Sequence, residues 1–142
     1  MNKVSVCFQK TVVSLILIMM LASCSSASAQ PKEMMVRISE IEINSNALNA
    51  YKAILKEESE ASVRLEPGVI AIFPMYEKEN QTEIRILEIY ASREAYESHL
   101  KTSHFQHYKT TTLVMVKSLR LVDMETIDAE TMTEIFKKME QR

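Results

Sequence analysis

Hydrophobic and polar positions change their period several times along the chain. From Met34 to Asn44, "MMVRISEIEIN" alternates, with Val36 and Ile38 on one parity and Ile41 and Ile43 on the other. Alternation of period two marks a half-buried strand, and the change of phase predicts a bulge near Ser39 and Glu40. In the following "SNALNAYKAILKEESEASVRLEPG", Leu48, Tyr51, Ile54, Leu55 and Ser62 fall at helical spacing, with Ser45 as an N-cap. Pro67 and Gly68 end that helix. Its charged run "KEESE" reads as a solvated face.

Two short apolar runs come next, "VIAIFPMY" at 69–76 and "EIRILEIY" at 83–90, separated by the polar "EKENQT". They predict an antiparallel hairpin. "SREAYESHL" opens a second helix with Ser92 as N-cap, continuing past a break at Thr102 and Ser103 through Phe105, Tyr108, Leu113 and Val116. "SLRLVDMETI" alternates again as a fourth strand, and "AETMTEIFKKMEQR" places Met132, Ile135, Phe136 and Met139 on one helical stripe.

The order β-α-β-β-α-β plus a terminal helix is the ferredoxin-like α+β arrangement, in which two helices cover one face of a four-stranded sheet. Both parities of the hairpin strands carry apolar residues, so the second face also needs cover. A homodimer with two sheets packed face to face meets that need. The folded domain spans 34–128 and the C-terminal helix 129–142.

The N-terminus changes the picture of where this domain works. Lys3 and Lys10 precede an uncharged run from Thr11 to Leu21, too short to span a bilayer, and then small residues. This is the pattern of an export signal over 1–23. "LASC" at Leu21 to Cys24 resembles the lipobox of bacterial lipoproteins, with Cys24 as the lipidated residue, while "ASA" at Ala27 to Ala29 would suit ordinary cleavage before Gln30. Residues 24–33 read as a tether. The expected location is the cell envelope of a bacterium, anchored by lipid on the periplasmic side.

Cleavage before Cys24 leaves 119 residues, with 15 basic against 19 acidic side chains, a net −4 in place of −2. No basic patch interleaved with aromatics is visible, so no nucleic-acid partner is expected. Cys7 and Cys24 are the only cysteines, so the domain has no disulfide, thiolate nucleophile or cysteine metal site. Its chemistry must come from His, Tyr, Glu, Asp, Arg or Lys.

All three histidines lie in "ESHLKTSHFQHY" at 97–108. On one continuous helix, at about 100° per residue, they would spread over roughly 140°, too wide for one shared ion. No metal site is therefore expected, and His107 reads as a surface residue. Glu88 and Tyr90 share a parity on the third strand; either is a functional group or a packing and pairing residue, with Arg85 and Arg37 as alternative partners for Glu88.

At "EPGV" and "LEIYASREAYESHLKTSHF" the chain resembles the antibiotic biosynthesis monooxygenase family, and within it the small quinol monooxygenases, over about Met35 to Ile127. That resemblance implies a dimeric α/β barrel that oxidises quinols, phenols or related aromatics with O2. It implies no cofactor, because a deprotonated hydroquinone can itself give an electron to O2. The pocket is implied between sheet and helices, with Glu88 and Tyr90 facing it and His99 and His104 on the family's two histidine positions. His104 is the candidate base, Glu88 the group that orients it, and Tyr90 a stacking or hydrogen-bonding partner of the substrate. His99, Arg37 and Phe105 are candidate substrate contacts. The heme-degrading branch carries a tryptophan at the place of Tyr90, a histidine near Lys109 and an asparagine near Ser39, all missing here. A non-catalytic barrel holding a small hydrophobic ligand is the alternative function.

Overall fold

The computed structural model describes residues 33–128 and 130–141; the expected export signal, Cys24 and nearly all of the expected tether lie outside these. Strand β1 (Met35–Ile43) leads through a 3-10 turn (Ser45–Ala47) into helix α1 (Leu48–Leu65). The hairpin β2 (Val69–Tyr76) and β3 (Glu83–Tyr90) follows, then helices α2 (Arg93–His99) and α3 (Ser103–Thr112). A second 3-10 turn (Leu113–Met115), β4 (Val116–Met124) and α4 (Glu130–Glu140) complete the chain. The sheet is antiparallel in the order β2-β3-β1-β4, a ferredoxin-like α+β fold. Among the described residues no helix is long and apolar enough to cross a membrane.

The phase change in β1 is not a bulge. β1 pairs with β3 without a shift from Met35↔Tyr90 to Glu42↔Glu83, and the irregularities lie at Glu42/Ile43 against β4 and at Val69/Ala71 in β2. Arg37, Ser39, Ile41 and Ile43 are all buried beneath the helices. The apolar parity seemed to switch because two polar residues, Arg37 and Ser39, occupy the buried face.

Helix α1 corrects the sequence reading twice. Ser45 does not cap it, since Ser45–Ala47 form the 3-10 turn and Ala47 stands at the cap position. In "KEESE", Glu58 and Ser59 are buried rather than solvated. They continue the stripe of Tyr51 and Leu55 that ends in the fully buried Ser62.

Gly68, the one glycine, opens β2 where it meets α2. A Cβ there would lie 2.6 Å from Cβ of Ala95, so only glycine lets the two elements approach this closely.

Thr102 explains the break between α2 and α3. Its hydroxyl donates to the carbonyl of His99 at 2.8 Å and accepts the amide of Phe105 at 3.4 Å, ending one helix and capping the next. Ser92 caps α2 in the same way through the amide of Ala95. The sequence reading of α4 agrees within a residue or two at each end, and its apolar residues Ile135, Phe136 and Met139 are exposed.

Across the sheet, the face turned away from α1 and α3 carries two apolar rows. Phe73, Leu87, Ile38 and Val122 are successive cross-strand neighbours, as are Ala71, Ile89, Val36 and Met124. The next row, Met75, Arg85, Glu40 and Arg120, turns charged, with Arg120 paired to Glu40.

Candidate active site

Between sheet and helices lies a cavity of about 450 Å³. Its floor comes from the helix-facing parity of the strands: Arg37, Ser39 and Ile41 of β1 with Ile86, Glu88 and Tyr90 of β3. Its roof is Leu55 and Glu58 of α1, Tyr96 and His99 of α2, and Phe105, Tyr108 and Thr112 of α3. A larger groove of about 680 Å³ opens between α1 and β2, rimmed by Lys52, Lys56 and Arg64, but it gathers no buried titratable group. Chemistry therefore concentrates in the smaller space.

Aromatic rings form one wall. Tyr90 meets Tyr96 edge-on at 5.3 Å between centroids, His99 meets Phe105 at 4.7 Å, and Tyr90 and His99 are 5.5 Å apart. Such edge-to-face contacts hold the rings in fixed orientations. Deeper in, the hydroxyls of Tyr51 and Tyr108 share a 2.7 Å hydrogen bond. Burial pushes the Tyr108 phenol up to about 12 and the Tyr51 and Tyr90 phenols higher still, so all three stay neutral hydrogen-bonding groups.

Glu88 is fully engaged on the floor. Its carboxylate accepts from the Ser39 hydroxyl and, at 2.9 Å, from the Tyr90 hydroxyl. It therefore does not orient His104, as the family resemblance had implied, nor pair with Arg37 or Arg85. Arg37 is held by Asp123 at 2.7 Å and lies 4.6 Å over the ring of Tyr96, while Arg85 pairs with Glu77 and Glu83. The buried Arg37 guanidinium still borders the cavity.

The carboxylate that meets His104 is Glu66. Its Oε1 lies 2.5 Å from Nε2 of His104 and 3.0 Å from Nδ1 of His99. Burial alone would raise the Glu66 carboxyl, yet the hydrogen bonds and charges of the two histidines overcome it and hold the group below its ordinary value. His99 is 2 % exposed and borders the cavity; His104 stands behind Glu66 and is not among the lining residues. Of the other expected contacts, Arg37 and Phe105 border the cavity with Tyr90 and Glu88. His107 is exposed on α3.

On its far side, His99 turns Nε2 toward Oε1 of Glu58 at 3.7 Å, and the Ser62 hydroxyl donates to the same oxygen at 2.7 Å. Glu58 is 4 % exposed and lines the cavity. Burial pushes its carboxyl up, with the nearby Glu88 adding to the shift, while the Ser62 hydrogen bond and the histidines oppose it. Sequence reading missed Glu58 and Glu66. A signal existed for Glu58, since it and Ser62 lie seven and eleven residues beyond Tyr51 on the buried stripe.

These features define a small ferredoxin-like domain with a ring-lined cavity that holds a buried carboxyl, and with two apolar rows on its outer sheet face. The antibiotic biosynthesis monooxygenase profile matches residues 34–111. A candidate monooxygenase of that family from Bacteroides thetaiotaomicron VPI-5482 is 48 % identical, with a TM-score of 0.67, over 68 % of this chain and 91 % of that one. A candidate monooxygenase from Lactobacillus acidophilus NCFM is 29 % identical, with a TM-score of 0.64, over 68 % of this chain and 46 % of that one. One from Nitrosomonas europaea, at 20 % identity and a TM-score of 0.65 over 69 % and 94 % of the two chains, shares the fold. No curated protein matches the chain. The chain belongs to the antibiotic biosynthesis monooxygenase family.

Proposed function

We propose that the protein oxidises a quinol-like or phenolic compound with O2, without a bound cofactor, inside the cavity between sheet and helices. The observation that carries this reading is the buried, cavity-lining carboxyl of Glu58, raised by its surroundings and set among aromatic rings. A base is most effective when its pKa lies near the working pH, and burial moves Glu58 in that direction. Glu58 takes the proton of a ring hydroxyl, and Arg37 lies where its charge offsets the resulting phenolate. The phenolate gives an electron to O2 and the two recombine at a ring carbon. One oxygen atom stays as the new carbonyl, and the other leaves as water with the two displaced hydrogens. The rings of Tyr90, Tyr96 and Phe105 hold the substrate flat and limit water.

The test is oxygen uptake by the purified protein with a panel of reduced naphthoquinols, beside a control without protein. Uptake well above autoxidation is expected for at least one quinol. Uptake equal to the control for all, with a quinone still raising the melting temperature, would instead make this a barrel that binds a hydrophobic ligand without turnover.

The two apolar rows on the outer sheet face support a homodimer with sheets face to face, because Phe73 is left 59 % exposed by the described residues. Ile38→Glu is expected to convert the dimer to a folded monomer in light-scattering mass measurements; a dimer unchanged by Ile38→Glu would place the interface elsewhere. The export signal and "LASC" support attachment to a bacterial envelope through lipid on Cys24, on the periplasmic side.

A further inference from the structure

We propose that Glu66, His99 and His104 form a binding site for one divalent transition-metal ion of the zinc type. The three side chains come from three elements: Glu66 from the turn between α1 and β2, His99 from the last position of α2, and His104 from the first turn of α3. The angular spread that spoke against a shared ion assumed one helix. The break stitched by Thr102 turns α3 back, so that His99 and His104 converge on one carboxylate oxygen.

The geometry fits a small ion. One atom from each residue lies within 4.8 Å of the others, with 3.0 Å and 2.5 Å from Glu66 to His99 and His104. An ion about 2.0–2.2 Å from each donor would set these atoms somewhat more than 3 Å apart. Glu66 and His104 need only move apart slightly to make that room. The ion would take the place of the hydrogen bonds that now join these atoms. The donors are nearly buried, at 3 % for His99, 13 % for Glu66 and 18 % for His104, which leaves an entry beside His104.

The surroundings support a ligand role. A metal-binding imidazole is commonly steadied by a carboxylate on its other nitrogen. Nε2 of His99 faces Glu58, itself held by Ser62. Two imidazoles and one carboxylate favour zinc and neighbouring ions over magnesium or calcium, which prefer all-oxygen sites. Three protein ligands leave a fourth position for water. Because His104 and Glu66 stand outside the cavity lining, the ion braces the α1–β2 turn against the α2–α3 break. The site adjoins the cavity through His99, which borders it and faces Glu58, but metal binding is read without any turnover.

The decisive experiment uses the full, untagged chain, stripped with a chelator and titrated with ZnCl2 by calorimetry and with CoCl2 by visible absorption. One ion per chain, a higher melting temperature and cobalt bands in the visible are expected. Glu66→Gln, which keeps size and a hydrogen bond to His104, should weaken binding by about tenfold or more and remove the bands, while His107→Ala should leave both unchanged. Circular dichroism of metal-free Glu66→Gln checks that it is folded; should it not be, His104→Asn takes its place. Absence of saturable binding, or binding that survives Glu66→Gln and thus belongs to Cys7, Cys24 or another group, overturns the proposal.

Discussion

Glu58→Gln is expected to lower kcat for quinol oxidation by about 10²–10⁴-fold, the usual range for losing a positioned general base, with KM little changed. Glutamine fills the same space, and its carbonyl oxygen can still accept from Ser62, which donates to Oε1 of Glu58 at 2.7 Å. Only the proton-accepting capacity disappears. The acid limb of the pH profile should separate this from general damage. Glu58 works as a base when ionised, and burial raises its carboxyl above the ordinary 4.5, so the rate of the native protein climbs with pH at values above 4.5. In the Gln variant that limb should vanish.

The sign for stability runs the other way. Below the ordinary carboxyl range both folded and unfolded chains carry the proton, and Glu58 costs nothing. As pH rises the unfolded chain ionises first, and the fold loses stability through the raised folded value. Glu58→Gln should therefore melt no lower than the native protein at neutral pH, so a lost rate cannot be ascribed to unfolding. Oxygen uptake with His104→Ala decides between the two candidate bases. A full rate in Glu58→Gln together with a lost rate in His104→Ala would transfer the role to His104.

How far the site could be read from the sequence follows from which signals are local. The hairpin was legible because "VIAIFPMY" and "EIRILEIY" are apolar runs around a polar turn, and the observed strands have those bounds, Val69–Tyr76 and Glu83–Tyr90. The pairing of Glu88 and Tyr90 on one face followed from period two alone. What failed was the reading of polar positions as a break in the strand pattern or as a solvated helix face. Arg37 and Ser39 on β1, and Glu58 and Ser59 on α1, are polar residues on buried faces, where a cavity replaces part of the core. Glu66 was missed for a different reason. It stands in a turn, where no periodicity assigns a face, and its approach to His99 and His104 spans 33 and 38 residues of sequence.

Ile43→Ala is expected to destabilise the domain by about 2–5 kcal/mol, the cost of truncating a buried aliphatic side chain and leaving part of the space empty. Ile43 ends β1 at 0 % exposure and belongs to the core cluster of Tyr51, Leu55, Ile84 and Tyr90. Its neighbourhood has little freedom to collapse. The amide of Ile43 is bonded to the carbonyl of Thr82 at 3.0 Å and that of Asn44 to Met115 at 2.9 Å, which pins the strand end on both sides. For a domain of this size each kcal/mol lowers the melting temperature by about 4–8 °C, so thermal denaturation should show a drop on the order of 10 °C or more. The loss should appear with no ligand present, unlike the effect of Glu58→Gln, because Ile43 contributes to the packing that holds α1, and with it Glu58, over the sheet. A melting temperature within a few degrees of the native value would mean that the end of β1 can repack, and that the position of α1 is set mainly by Tyr51 and its hydrogen bond to Tyr108.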